Sequence, residues 1–352
     1  MVNEQMNRLR NVVYSCILLA IGGWLLVIGK TVLFPVVAGA VVVYVFVGLT
    51  HTLRLLSFRG HVLPLRLRYL LALACIGLAL SFVFYLVAAN FEQILLRAPN
   101  YQQSLLIGIQ KLAVLMGIED EPTWTTLRQD FFAQINLQSL LGSMVVSVSS
   151  LLWAIVVVML YATFLLVEMR SFPAKVDAIM SSVGGAERAR QMGQRINGRI
   201  GSYLALKTII SALLGALSWA IMAHYGLEFA PFWALLIGLL NFIPYIGSIL
   251  GVLLPLAMGI AQFQDLSVIV PMMLAMSLVQ FGIGNFLDPY IMGSSLNLSP
   301  LAILISLAVW SELWGIAGAF LAVPITAVIA IICSEFEGTR PVAVLLSQNG
   351  RL

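Results

Sequence analysis

The residues best placed to do chemistry fall in two short segments, Asn241-Phe-Ile-Pro244-Tyr245-Ile-Gly247 and Asn285-Phe-Leu-Asp288-Pro289-Tyr290-Ile-Met-Gly293. Each sets an amide, a proline, a phenol and a glycine at the edge of an apolar run. Proline removes a backbone donor and glycine permits a non-helical turn, so such words interrupt helices and bare main-chain hydrogen-bonding groups. Paired interruptions in an apolar chain are the pattern of a solute site near the bilayer midplane. Chance, or two ordinary helix-end turns, would give the same words. Asp288 adds a carboxylate that could hold a proton or a cation, or cap a turn at the interface; at the bilayer centre a charge costs about 2.5–3.5 kcal/mol. Glu312 is the second acid of this kind, although its neighbours Trp310 and Trp314 suit a head-group belt. Glu168 and Lys207 sit at span ends, where snorkelling suffices.

The elements that must position these groups are membrane helices. Of 352 residues 61% are apolar and 10% charged, against about 25% charged in an ordinary soluble domain; the mean hydropathy is +1.01. Roughly 20 apolar residues span the hydrocarbon as helix. Asn11 to Leu33, Val36 to Leu53, Tyr69 to Asn90, Met144 to Val167, Gly201 to Ala223 and Leu266 to Leu287 meet that length. Pro231 to Ala261 and Pro300 to Cys333 exceed it, and as single helices would reach about 45–50 Å. Each contains a break, at Asn241–Gly247 and at Ser311-Glu312-Leu-Trp-Gly315, which predicts a kinked span or a re-entrant hairpin. Non-helical backbone at that depth needs protein or a wet cavity around it.

Basic residues set orientation. Arg54, Arg59, Arg66 and Arg68 follow the second span, and Arg170, Lys175, Arg188, Arg190, Arg195 and Arg199 follow the fourth, so both segments face the cytoplasm, as do the termini. The acid-richer segment between them lies outside. There Leu105, Ile109, Leu112 and Met116, then Trp124, Leu127, Phe131 and Ile135, predict two amphipathic helices on the membrane surface or between subunits. Gly184 to Arg199 also reads as a helix, its cations beside anionic head groups. The resulting organisation is residues 1–90, three spans; 91–143, extracytoplasmic amphipathic helices; 144–200, the fourth span and a basic cytoplasmic segment; and 201–352, a transport region with broken helices and a cytoplasmic tail. The expected fold is all-α and polytopic, with about eight transmembrane elements, two of them broken or re-entrant.

From Thr208 to Thr339 there is no Lys or Arg, while Glu228, Asp265, Asp288, Glu312, Glu335 and Glu337 are acidic. A site in this block disfavours a strongly anionic solute unless helix N-termini supply positive potential. Enzyme readings fare poorly: HExxH and GxSxG are absent, and His51, His61 and His224 have no paired nucleophile. Cys16, Cys75 and Cys333 share no ligand spacing and are expected to be buried packing residues. No cofactor, metal or nucleic-acid partner is expected. The apolar run after Arg10 lacks a cleavage site and reads as a retained span.

The block from about Tyr203 to Ser347 resembles the autoinducer-2 exporter (AI-2E) family of bacterial membrane proteins, through Trp233 to Ser248, Gly284 to Gly293 and Gly315-Ile-Ala-Gly318-Ala-Phe-Leu-Ala-Val-Pro324. The tail Ala343-Val-Leu-Leu-Ser347 is similar to the subgroup containing the quorum-signal exporter. The resemblance implies a multi-pass inner-membrane homo-oligomer, with a pentamer as the candidate assembly, that exports the furanone signal autoinducer-2; some relatives are sodium or lithium/proton antiporters. The expected solute site comprises Asn241, Pro244, Tyr245, Gly247, Gln280, Asn285, Asp288, Pro289 and Gly293, with Asp288 and Glu312 as candidates for ion or proton coupling. It suits a neutral polyhydroxylated furanone, or a monovalent cation held by Asp288. The competing readings are an antiporter using Asp288 and a non-transporting membrane scaffold.

Overall fold

In lipid a backbone finds no partner but itself, so a chain this apolar folds into helices. The computed structural model describes residues 2–52, 57–58, 61–64, 66–78, 80–86, 89, 137–169, 171–179, 185–292 and 296–350. In chain order these form α1 (Val2–Ile28), α2 (Lys30–Thr52), the two-residue strands β1 (Ser57–Phe58) and β2 (His61–Val62), α3 (Arg66–Leu86), α4 (Leu137–Glu168), α5 (Phe172–Ile179) and α6 (Gly185–His224). Then follow α7 (Ala230–Leu240), α8 (Ile246–Phe263), α9 (Leu266–Gly282), a π-helical turn (Ile283–Leu287), α10 (Asp288–Met292), α11 (Pro300–Glu335) and α12 (Arg340–Leu346). Among the described residues, six helices are long and apolar enough to cross a membrane and two more are shorter and apolar. The protein is an all-α polytopic membrane protein.

Packing divides the chain into two units, residues 1–44, 154–200 and 296–352 in one and residues 45–153 and 201–295 in the other. In the first, α11 turns back on itself. Gly315 holds φ 66°, ψ −147°, a region open essentially to glycine alone. The indole nitrogen of Trp310 donates to Thr326 Oγ1 at 3.2 Å. Sixteen residues of straight helix would separate those residues by about 24 Å, so α11 is a helical hairpin, as the break at Ser311–Gly315 predicted. Its arms close on Gly318, where a Cβ would lie 1.8 Å from the Trp310 carbonyl oxygen. Trp314 donates to the Leu26 carbonyl at 3.0 Å and meets Phe34 edge-on. Trp310 and Trp314 are therefore buried packing residues, which corrects the expected head-group belt: an indole N–H with a partner inside the fold needs none in the interface. Below the hairpin, Ser299 N–H donates to Leu346 O and Gln348 N–H to Asn297 O, fastening α12 to the start of α11. Arg190 pairs with Asp177, Lys175 with Glu168, and Arg195 with Glu335 at 2.6 Å.

The second unit has its core where α6 meets α7, α8 and α9: Ile210, Leu214, Ile237, Met258, Met272 and Met276 are among its buried members. The turn into α7 places Gly226 and Phe229 at positive φ. Gln262 holds it, accepting from Glu228 N–H at 2.7 Å and donating to Gly226 O at 2.8 Å. Asp265 caps α9 by accepting from Ser267 N–H, a standard N-terminal device.

Several boundaries differ from expectation. Residues 185–199 and the span after them form one helix, α6, of 40 residues. The first two spans divide at Gly29, not before Pro35, which sits within α2. Cys75 is exposed on α3 and Cys333 half-buried, so neither is the buried packing residue expected. On a lipid-facing wall a thiol is as acceptable as in a core, since neither offers water. The two expected amphipathic helices, over 105–116 and 124–135, lie outside the described residues.

Candidate functional site

The polar groups of the second unit gather along one face of α6. Tyr203, Lys207 and Ser211 recur every four residues and are all buried, Lys207 being 7% exposed. A four-residue step keeps side chains on one helix face. Two of the residues singled out from sequence come to that face. Asn241 Nδ2 donates to Ser211 Oγ at 3.0 Å, and one turn away Lys207 Nζ donates to Asp288 Oδ2 at 2.7 Å. The Asn241 contact depends on a close crossing of α6 and α7. A Cβ on Gly238 would lie 3.1 Å from the Ser211 carbonyl and one on Gly215 3.0 Å from that of Ala234, so small residues let the two backbones approach.

The Lys207–Asp288 pair corrects two expectations. Lys207 does not snorkel, and Asp288 does not cap a turn, because the helix runs unbroken from Leu266 to Met292. The Asn285 segment is thus no interruption. Pro289 cannot bond the carbonyl four residues back and its ring crowds it; the widened turn Ile283–Leu287 absorbs the mismatch without breaking the rod. Asn285 Nδ2 donates to Phe281 O at 3.1 Å on the same helix. Asn285, Pro289 and Tyr290 face outward, Tyr290 at 87% exposed. Gly293 lies outside the described residues. Gln280 is buried on the inner face of α9, and Glu312 is exposed in the other unit. The structure thus joins Asn241 and Asp288 through α6 and leaves Asn285 and Pro289, on the outer face of their helix, apart from them.

The Asn241 segment, in contrast, is a true break. Ile246 N–H donates to Pro244 O at 2.7 Å across Tyr245, whose φ is 62° and ψ −57°. That is a γ-turn of the rare, strained hand, held by a residue with a side chain. Immediately after it Gly247 presses on α7, where a Cβ would lie 1.8 Å from Leu240 O. Such strain costs about 1–3 kcal/mol and collects at functional sites. Tyr245→Gly is expected to raise the melting temperature of the purified protein, by about 1 kcal/mol of stability, while slowing transport. A lower melting temperature would show that the phenol, not the turn, matters.

Tyr203 and Ser211 were not singled out from sequence, and Lys207 was read there as a snorkelling span-end residue. The signal was present as a four-residue polar repeat within an otherwise apolar span.

These features define a class: a multi-pass helical membrane protein with a helical hairpin in each unit, one of them bordering a buried polar stripe. Residues 14–338 match the AI-2E family transporter model, and the chain belongs to that family of transporters. It is 30% identical to the AI-2 transport protein TqsA of Escherichia coli (strain K12) over 249 residues, 71% of each chain. It is also 26% identical to the “Putative transport protein YhhT” of the same organism over 276 residues, 76% of each chain.

Proposed function

We propose that this transporter exports autoinducer-2, a small uncharged furanone, by alternating access around the α7–α8 hairpin. One observation carries the reading: Lys207, the buried cation of the transport half among the described residues, is neutralised by Asp288, leaving amide and hydroxyl groups beside the break. Such a surface favours a neutral, hydroxylated solute over an anion. The likeness to TqsA supports the same solute. The distribution of Arg and Lys supports cytoplasmic termini in a bacterial inner membrane, and the resemblance to the family supports a homo-oligomer. The test is efflux of autoinducer-2 from cells expressing the parent or Asn241→Ala at equal level. Loss of one buried hydrogen bond to the solute should slow efflux by up to about tenfold. Efflux at the parental rate would place the site elsewhere.

A second reading, exchange of sodium or lithium for protons, is favoured by one detail: Asp288 Oδ1 is buried and has no hydrogen-bond partner among the described residues. A bound cation would take that oxygen and release Lys207. In that case Asp288→Asn abolishes cation-driven proton flux in vesicles and leaves signal efflux unchanged.

A further inference from the structure

Two donors on α7 and α9 are buried with nothing among the described residues to receive them. Gln280 is 8% exposed, yet its Nε2 has no hydrogen-bond partner among the described residues, and neither has the buried indole nitrogen of Trp233. An unpaired buried donor costs about 1–3 kcal/mol, so two beside one core call for an explanation.

Their placement suggests one. Trp233 lies one turn before Ile237 on α7, on the same face, and packs against the cluster that contains Ile237 and Met276. Gly251 of α8 sits across from that face. A Cβ there would be 3.6 Å from Ile237 Cγ2 and 3.7 Å from Gln280 Oε1. Gly251 is therefore the point at which α7, α8 and α9 come together, with an unpaired N–H on α7 and another on α9. An indole offers only a donor, and the free atom of the amide is likewise a donor. The amide atom nearest Gly251 is its oxygen, so the amide N–H reaches a ligand there by turning about its terminal torsion; an N–H so placed attracts oxygen lone pairs and repels a bare cation.

We propose that Trp233 and Gln280 are the hydrogen-bond donors of the solute site, set about Gly251 between α7, α8 and α9, and that they select an uncharged ligand rich in hydroxyl or ether oxygens over a metal cation. This rests on the export reading above and adds Trp233 and Gly251 to its residues. The glycine keeps the floor open: a methyl group there meets its neighbours at ordinary contact distance, so Gly251→Ala leaves the fold intact and fills the space.

The test is equilibrium binding to the purified full chain, by calorimetry in borate-free buffer. The probes are autoinducer-2 in its uncharged furanone form, a tetrahydrofuran analogue without hydroxyls, and sodium. Trp233→Phe and Gln280→Met are each expected to weaken furanone binding about five- to tenfold and to leave the analogue unaffected. Gly251→Ala weakens both organic ligands, and sodium displaces neither. Gln280→Met should melt at or above the parental temperature, having lost an unpaired donor without losing volume. Parental furanone affinity in both donor variants overturns the assignment, as does equal weakening of furanone and analogue, which marks a packing role. Displacement of furanone by sodium also overturns it. If the parent binds no furanone at all, the export reading fails and this assignment with it; if the parent binds and the variants match it, only the assignment fails.

Discussion

Asp288→Ala is expected to destabilise the protein by about 3 kcal/mol or more, because it leaves the Lys207 ammonium buried and uncompensated. Lys207 is 7% exposed and pairs with Asp288, 2.7 Å away. Lys207→Met should cost less: a carboxylate at 19% exposure can take a proton, and the methionine stem fills the space of the lysine stem. The double variant, Lys207→Met with Asp288→Leu, should recover parental stability or exceed it, since a buried pair replaced by apolar groups of like volume is often neutral or stabilising. Thermal melting of the four proteins in one detergent closes the cycle. If Asp288→Ala alone melts like the parent, the ammonium has another partner or reaches water, and α10 is not tied to α6 by charge.

The second large effect is expected at two glycines in different units. Gly247→Ala and Gly318→Ala should each destabilise by about 3 kcal/mol, the upper end of what overpacking costs. The reason is the same in both places: the added Cβ would fall 1.8 Å from a backbone carbonyl oxygen, of Leu240 in one hairpin and Trp310 in the other. A carbonyl cannot swing aside as a side chain can, so the arms must separate. At present each glycine Cα meets that oxygen directly, a weak C–H···O contact recurring where helices cross closely. Gly251→Ala serves as the control, its nearest neighbours being side-chain atoms beyond 3.5 Å. Melting temperatures of the three variants, measured together, decide the matter; equal values would mean the hairpin tips are loose.

The hairpins were legible in the sequence because they are made locally. Pro244 and Gly247 lie within one short word, and Gly315 announces its own turn. The length of both apolar stretches, too great for the bilayer, pointed the same way. The basic segment after residue 184 was legible as helix for a similar reason, its spacing being regular. What was not legible depends on partners far apart in the chain. Lys207 and Asp288 are separated by 81 residues, and nothing beside Lys207 distinguishes an interior lysine from one reaching for head groups. Asn285-Phe-Leu-Asp-Pro misled because a proline can be accommodated in two ways, by a break or by a widened turn, and the words are the same for both. Trp310 and Trp314 misled because an indole suits an interface and a crowded hairpin equally; their acceptors, Thr326 and the Leu26 carbonyl, decide the case.

The widened turn at Ile283–Leu287 carries one residue more than a regular ladder needs. Removing a single residue there would let the ladder close normally, and everything downstream would rotate by about 100° about the rod. Asp288 would then point away from α6 although every helix remained. Length, more than composition, is what this stretch must keep: it should tolerate many single replacements and few deletions, and a kindred chain one residue shorter here would have dissolved its link between rod and partner without changing a single charged side chain.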